Sequence, residues 1–323
     1  MTKIKKKALI CGVSGQDGTY LTKLLLEKGY QVFGGSRDAQ GSSFENLKKL
    51  NLFEKINIVS INLTDFRSVF QTIKKINPDE IYNLAGQSSV ALSFEQPVET
   101  MESISIGTLN ILEAIRFYDE KIKFYNAGSS ECFGNVTTAV DEMTPFRPRS
   151  PYAVAKSTAY WHVSNYREAY NLFACTGILF NHESPLRKER FVTKKIITTA
   201  YKISKGHNIK LYLGNINIQR DWGWAPEYVN AMWLMLQLEN PDDFIIATGK
   251  TTSLEVFIDI TFKLLDLNWK DHVFLDNDLI RPTDIKLGLA NPIKAKNILK
   301  WEAKIGVEEV IKLMLDDIME LNG

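Results

Sequence analysis

A doubly wound parallel α/β sheet is the fold predicted for this chain, and three observations predict it. Short apolar runs alternate with helical patterns through the first half. A glycine-rich turn follows the first run and opens the first helix. A Tyr-x-x-x-Lys pair stands at the head of a later helix in the same series. Strand and helix in alternation make parallel βαβ units, and such a sheet is covered on both faces.

In order, residues 7–12, 31–36, 56–62, 80–85 and 123–127 read as buried strands. Helical patterns lie between them at 19–28, 65–75 and 98–118. The next helix spans 151–170, because Pro151 suits a first turn and Ser150 suits the cap before it. After Asn181 the regularity fades. Strand-like pieces at 210–213 and 243–247 mix with helices at 191–205, 225–236, 254–265 and 307–321. Neither repeats nor low complexity nor a long linker interrupts the chain. This predicts a sheet domain over residues 1–180 and a smaller mixed α/β lobe over 181–323, some of whose segments return to the main sheet. The ligand cleft is expected between the two.

Composition narrows the function classes. Of 323 residues, 45% are hydrophobic and 24% charged, as in soluble globular proteins. The 39 basic and 38 acidic residues leave a formal net charge of +1. That balance provides no long-range basic field for nucleic acid, so an anionic ligand must be held by local cations. The three cysteines, Cys11, Cys132 and Cys175, have no zinc or disulfide spacing. They read as reduced thiols of a cytoplasmic protein, and no metal site is expected. The apolar stretch 8–11 follows a basic run and is cut off by Gly12, too short for a signal peptide. No apolar run approaches the ~18 residues that a membrane helix needs.

The turn Gly12-Val-Ser-Gly15-Gln-Asp-Gly18 follows the first strand and opens the first helix. Glycines there permit a tight turn and let bare backbone approach a pyrophosphate, which sits on the helix N-terminus. The sheet is therefore read as a Rossmann-type dinucleotide-binding domain. Ser36, Arg37 and Asp38 end the second strand. An acid there pairs with the ribose hydroxyls of NAD, whereas Arg accommodates the 2′-phosphate of NADP. Arg37 comes first and Ser36 can bond a phosphate, so NADP is favoured over NAD.

Tyr152 and Lys156 lie one helical turn apart on one face. A free tyrosine titrates near ~10, and a neighbouring ammonium favours the phenolate. Tyr152 can then take a proton from a sugar hydroxyl as the carbon is oxidised. Ser129, after the fifth strand, completes a Ser/Tyr/Lys set. Glu131 follows two residues later, so an extended loop points both the same way. A carboxylate beside an oxidised carbon can remove the proton next to a new ketone.

On these residues the chain resembles the extended short-chain dehydrogenase/reductases, and within them the GDP-mannose 4,6-dehydratase family. The glycine spacing GxxGxxG is of the short-chain type. The resemblance covers nearly the whole chain, and the run Gly-Ile-Leu-Phe-Asn181-His-Glu-Ser-Pro185 is especially characteristic. It implies oxidation at carbon 4 of a hexose by Tyr152, Lys156 and Ser129, removal of the carbon-5 proton by Glu131, loss of water from carbon 6, and return of hydride to carbon 6. It implies cofactor contacts at Gly12, Ser14, Gly15, Gln16, Asp17, Gly18, Arg37, Asn62, Leu63, Leu84, Ala85, Tyr152, Lys156 and His182. It implies contacts to the GDP-sugar at Ser88, Asn181, Lys195, Arg220, Arg281 and Asp284. Arg220 and Arg281 match arginines on the diphosphate and ribose, and Arg suits phosphate oxygens.

The chain departs from the family pattern at four places. Ser129 stands for the usual Thr, Asp38 for a second arginine, Asn62 for an Asp that reaches adenine, and Asp284 for a Glu that binds the nucleoside. GDP-manno-heptose is an alternative substrate. A 4-epimerase shares the Tyr/Lys pair but has no need of a carboxylate at 131. A non-catalytic dinucleotide sensor would not retain Ser129, Glu131, Tyr152 and Lys156 together. Relatives form dimers or tetramers, and the helices at 98–118 and 152–170 are the expected homo-oligomer surfaces.

Overall fold

In the computed structural model, residues 5–322 are described, so the start of the basic N-terminal run lies outside the described residues. The first half comprises β1 (Lys7–Cys11), α1 (Gln16–Glu27), β2 (Gln31–Ser36), α2 (Glu45–Lys49), β3 (Asn57–Ser60), α3 (Phe66–Ile76), β4 (Glu80–Asn83), α4 (Val90–Glu95), α5 (Pro97–Met101), α6 (Gly107–Tyr118), β5 (Lys123–Ala127) and α7 (Pro151–Tyr170). There follow β6 (Ala174–Leu179), β7 (Asn181–Glu183), α8 (Val192–Ser204), β8 (Leu211–Leu213), β9 (Gln219–Trp224), α9 (Ala225–Leu236), β10 (Phe244–Ile246), β11 (Thr251–Ser253), α10 (Leu254–Lys263), β12 (Val273–Leu275) and α11 (Val307–Asn322).

The main sheet has seven strands in the order β10-β6-β5-β4-β1-β2-β3, all parallel. The α/β, doubly wound prediction is thus met. The order reverses between β1 and β4, which leaves a crevice at their carboxyl ends, the place where open parallel sheets bind ligands. On one face α1 and α9 bury Leu21, Leu25, Tyr228 and Met232 against Ile10 and Tyr125. On the other, α3, α6 and α7 bury Val69, Ile111, Ile115 and Val163 against Leu9 and Phe124. A second core joins α8, α10 and α11 to β8, β9 and β12 through Ile197, Leu211, Trp222, Phe257 and Met314. Here β9 pairs with β7 and β11, and β12 with β8. Both β10 and α9 lie beyond residue 181 yet belong to the main sheet and its cover.

Three boundaries move, each for a local reason. The first helix starts at Gln16 rather than residue 19, because Gly18 is needed inside it. A Cβ on Gly18 would lie 2.4 Å from the Gly12 carbonyl oxygen and 2.7 Å from Val13 Cα. The third strand ends at Ser60 because Asn62 turns the chain, its Oδ1 accepting from the Thr64 N–H at 3.3 Å and the Thr64 hydroxyl at 3.0 Å. The strand predicted to reach residue 85 stops at Asn83, and the chain then passes beneath the glycine turn. The helix predicted at 98–118 runs through α5, a π-helical turn at Glu102–Ile106 and α6. Such wide turns interrupt helices frequently at functional sites.

A Gly18→Ala substitution tests this contact. Its extra methyl meets backbone that cannot yield, so a loss of about 2 kcal/mol or more is expected in urea unfolding. A change near zero would show that α1 can slide away from β1.

Candidate active site

The carboxyl ends of β1, β2 and β4 open onto a cleft of about 1020 Å³. Gly12, Ser14, Gly15, Gln16, Arg37, Asn62, Leu63, Leu84, Ala85 and Ser88 all line it. Gly12 has φ +86°, and a Cβ there would lie 2.8 Å from the backbone of Leu84 and Ala85. Bare backbone therefore forms the floor, and the first amides of α1 face the cleft, as an anion requires. Gly18 lies behind the loop and sets its distance from β1.

Asp17 turns from the cleft toward the second lobe. Its Oδ2 lies 2.9 Å from His182 Nε2, while His182 Nδ1 faces the Phe180 carbonyl at 2.8 Å. Both ring nitrogens thus meet acceptors, and only the imidazolium can donate to both. Burial opposes the charge on His182, but Asp17 outweighs it and raises the pKa. Gln16 joins the same link: it donates to the His182 carbonyl at 3.1 Å and accepts from the Ser184 hydroxyl at 2.7 Å.

Ser150 caps α7, its Oγ accepting from the Ala153 N–H at 3.1 Å. This cap fixes the turn that carries Tyr152 and Lys156, which are 9% and 8% exposed. Lys156 Nζ donates to the Ala127 carbonyl at 2.7 Å, and burial lowers its pKa from 10.5 to about 8. Burial raises the pKa of Tyr152, and the neighbouring Ser129 hydroxyl opposes the rise. Ser129 Oγ also accepts from the Glu131 N–H at 3.3 Å. Burial raises the Glu131 carboxyl as well, against the pull of Arg220 and Arg281. Arg220 Nη2 stands 4.0 Å from Glu131 and 3.2 Å from Asp284, and Arg281 lies 3.6 Å from Asp284. Asp284 thereby holds two guanidiniums close together. Asn181, on β7, is paired in register with Trp222 of β9, two residues beyond Arg220.

The hits of a family model decide the classification. The model described as GDP-mannose 4,6 dehydratase matches residues 9–314. The chain belongs to the GDP-mannose 4,6-dehydratase family. Within it, GDP-mannose 4,6 dehydratase 1 of Arabidopsis thaliana is 46% identical over 331 residues, covering 99% of this chain and 92% of the relative. Among solved structures, a dTDP-glucose 4,6-dehydratase of Bacillus anthracis in complex with NAD aligns with a TM-score of 0.86 at 19% identity, over 98% of this chain and 97% of the other. A UDP-glucose 4-epimerase of Thermus thermophilus, also with NAD, aligns at 0.84 and 24% identity, over 97% and 99%.

Two site residues stand apart in this family member. Lys195 Nζ donates to the Tyr212 carbonyl at 2.7 Å, on β8 rather than on the Arg220–Asp284–Arg281 group. Ser88 lies on the dinucleotide cleft, where Arg190 reaches it at 3.4 Å. Reading the sequence passed over Arg187, Lys188 and Arg190, which line the same cleft. Their signal was present: three cations within four residues, directly after the run that ends at Pro185. Among the described residues no group of three or more His, Cys, Asp or Glu could hold a metal ion, and no helix is long and apolar enough to cross a membrane.

The buried ammonium has a measurable cost. Lys156 resists protonation in the folded chain, so its penalty is present below about pH 8 and relieved as pH rises toward 10.5. Lys156→Met is expected to stabilise the ligand-free protein by about 1–3 kcal/mol at pH 7 while removing activity. The gain should shrink by pH 10. Denaturant unfolding at both pH values checks it, and a pH-independent difference would contradict the assignment.

Proposed function

We propose that this protein is a GDP-sugar 4,6-dehydratase acting on GDP-mannose, with NADP as its nicotinamide cofactor. The observation that carries the reading is Glu131, a half-buried carboxylate on the same short turn as Ser129 and beside Arg220. The residues of the cleft fit a dinucleotide: side-chain-free backbone at Gly12 and Gly15, and α1 amides beyond it. Arg37, 82% exposed at the end of β2, supports NADP. A bound nicotinamide supplies a two-electron acceptor at carbon 4 and a donor at carbon 6.

Tyr152 takes the proton of the carbon-4 hydroxyl. Ser129 holds the phenol in place, and the Lys156 ammonium stabilises the phenolate. The ketone so formed acidifies carbon 5, and Glu131 takes that proton. Glu131 passes that proton to the departing carbon-6 hydroxyl, which leaves as water, and the proton held by Tyr152 returns to carbon 5 as carbon 6 is reduced. Arg220 and Arg281, steadied side by side by Asp284, clamp the diphosphate. Asn181, Lys195 and Ser88 complete the GDP-sugar contacts. Asp17, Asn62, Leu63, Leu84, Ala85 and His182 shape or brace the cofactor side.

The test is incubation with GDP-mannose and NADP⁺ in deuterated water, followed by mass. Loss of one water with one deuterium gained at carbon 5, and no lasting NADPH, supports the cycle. Inversion at carbon 4 without a change of mass would make the protein an epimerase. Turnover of GDP-manno-heptose alone would keep the chemistry and change the sugar. Glu131→Gln should still allow partial oxidation at carbon 4 but lower dehydration by about 10²-fold or more, and Tyr152→Phe should remove both. Full dehydration by Glu131→Gln would remove Glu131 from the role of base.

We further propose a homodimer through the adjoining α5–α6 and α7 faces. Along them Val98, Phe117 and Trp161 are 68, 61 and 60% exposed, apolar side chains that a partner of the same chain would cover. Phe117→Glu with Trp161→Asp should give a folded monomer in light scattering. An unchanged mass would place the interface elsewhere.

A further inference from the structure

The mouth of the dinucleotide cleft carries an acidic wall opposite Arg37. One side is the loop after β2. There Ser36 and Ser42 bring their hydroxyls to 3.0 Å. Asp38 Oδ1 accepts from the Gln40 and Gly41 N–H groups at 2.9 and 2.7 Å, so its carboxylate is fixed in the turn. The other side is α5 and the wide turn after it. Gln96, Glu99 and Glu102 line the cleft from there, spaced so that successive turns present them on one face. Gly107 brings this helix down onto the floor, since a Cβ there would lie 3.2 Å from Leu63 Cβ.

Arg37 reaches across this mouth. Its Nη1 lies 3.7 Å from Glu99 Oε1. The end of β2 is where a dinucleotide presents its adenosine ribose. At that point NADP carries a phosphate monoester, with close to two negative charges, and NAD carries a neutral hydroxyl. A carboxylate across the mouth repels the first and ignores the second. It also engages the guanidinium that the phosphate requires.

We propose that Glu99 is a specificity-determining residue: as the counter-ion of Arg37, it narrows the margin by which this chain prefers NADP over NAD. The inference rests on the nicotinamide reading above. Glu99 touches no reacting atom and acts through Arg37 and through its charge.

The experiment is calorimetric titration of the full chain, free of cofactor, with NADP⁺ and with NAD⁺. Wild type, Glu99→Gln and Glu99→Asp are compared. Glu99→Gln should tighten NADP⁺ by about three- to fivefold, the scale of an exposed charge pair, and leave NAD⁺ within about twofold. Glu99→Asp keeps the charge and should keep the wild-type ratio, which separates charge from shape. The gain should diminish from about 0.05 M to about 0.5 M salt, where screening shortens to a few ångströms. An unchanged NADP⁺/NAD⁺ ratio, or an equal change for both, overturns the role of Glu99 while the cofactor reading stands. Failure of both nucleotides to bind wild type overturns the cofactor reading and the inference with it.

Discussion

The first turn of α1 rests on the end of β1 with no side chain between them, and the other parts of the site are positioned from that contact. Gly12 and Gly18 permit it, since a Cβ on either would meet backbone atoms under 3 Å away. The same turn grips the second lobe. Gln16 and Asp17 bond His182 and Ser184, the strand and turn that follow Asn181. The seat for a dinucleotide and the start of the second lobe thus form one rigid unit. The Asp17–His182 pair has a defined pH window. His182, raised above its ordinary value, contributes stability that is lost as pH rises through its folded pKa. Asp17, lowered, contributes stability that is lost as pH falls through its own. The link is therefore strongest between the two.

Charges deeper in the site are placed against their own solvation. Lys156 has one carbonyl for its ammonium, Glu131 has a guanidinium 4.0 Å away, and Arg220 is 6% exposed. A core chosen for stability alone would favour apolar residues at such positions. On the proposed reading a ligand completes two of them, a ribose for Lys156 and phosphate oxygens for Arg220. The surrounding sheet offsets this cost with the apolar side chains it buries on both faces.

Much of this was legible in the sequence, for identifiable reasons. The strands at 31–36 and 123–127 and the helices at 151–170 and 225–236 coincide with the observed elements, because apolar runs and proline at a first turn are local signals. The strand β6 was passed over, since the apolar stretch 172–180 has no alternation and is buried on both faces. Strands β9 and β11 were missed because three- to six-residue strands rich in charge and hydroxyls carry no periodicity. At the site, Gly12, Ser129, Tyr152 and Lys156 announce themselves by spacing. The convergence of Glu131, Arg220, Arg281 and Asp284 does not, because it joins positions 131, 220 and 284 across the tertiary fold. The Glu99–Arg37 pair is of the same kind.

Fold alone does not separate the reactions open to this architecture. A dehydratase and an epimerase align with this chain almost equally, at TM-scores of 0.86 and 0.84. The first is a dTDP-glucose 4,6-dehydratase and the second a UDP-glucose 4-epimerase, and one hydroxyl-facing base suffices to oxidise and reduce one carbon. Loss of water across two further carbons needs a second base, at a distance from the first and ionised independently of it. In the proposed cycle Tyr152 and Glu131 would meet that requirement by environment. Tyr152 neighbours Ser129 and is flanked by the Lys156 helix turn. Glu131 faces Arg220 and Arg281, which oppose the upward push of burial on its carboxyl. A substitution that neutralised Arg220 would therefore act on two steps at once, loosening the hold on a diphosphate and leaving Arg281 alone to oppose burial at Glu131. The carboxyl would then be harder to ionise and a poorer base toward carbon 5, so the proposed reaction depends on a phosphate clamp and a base sharing one cation.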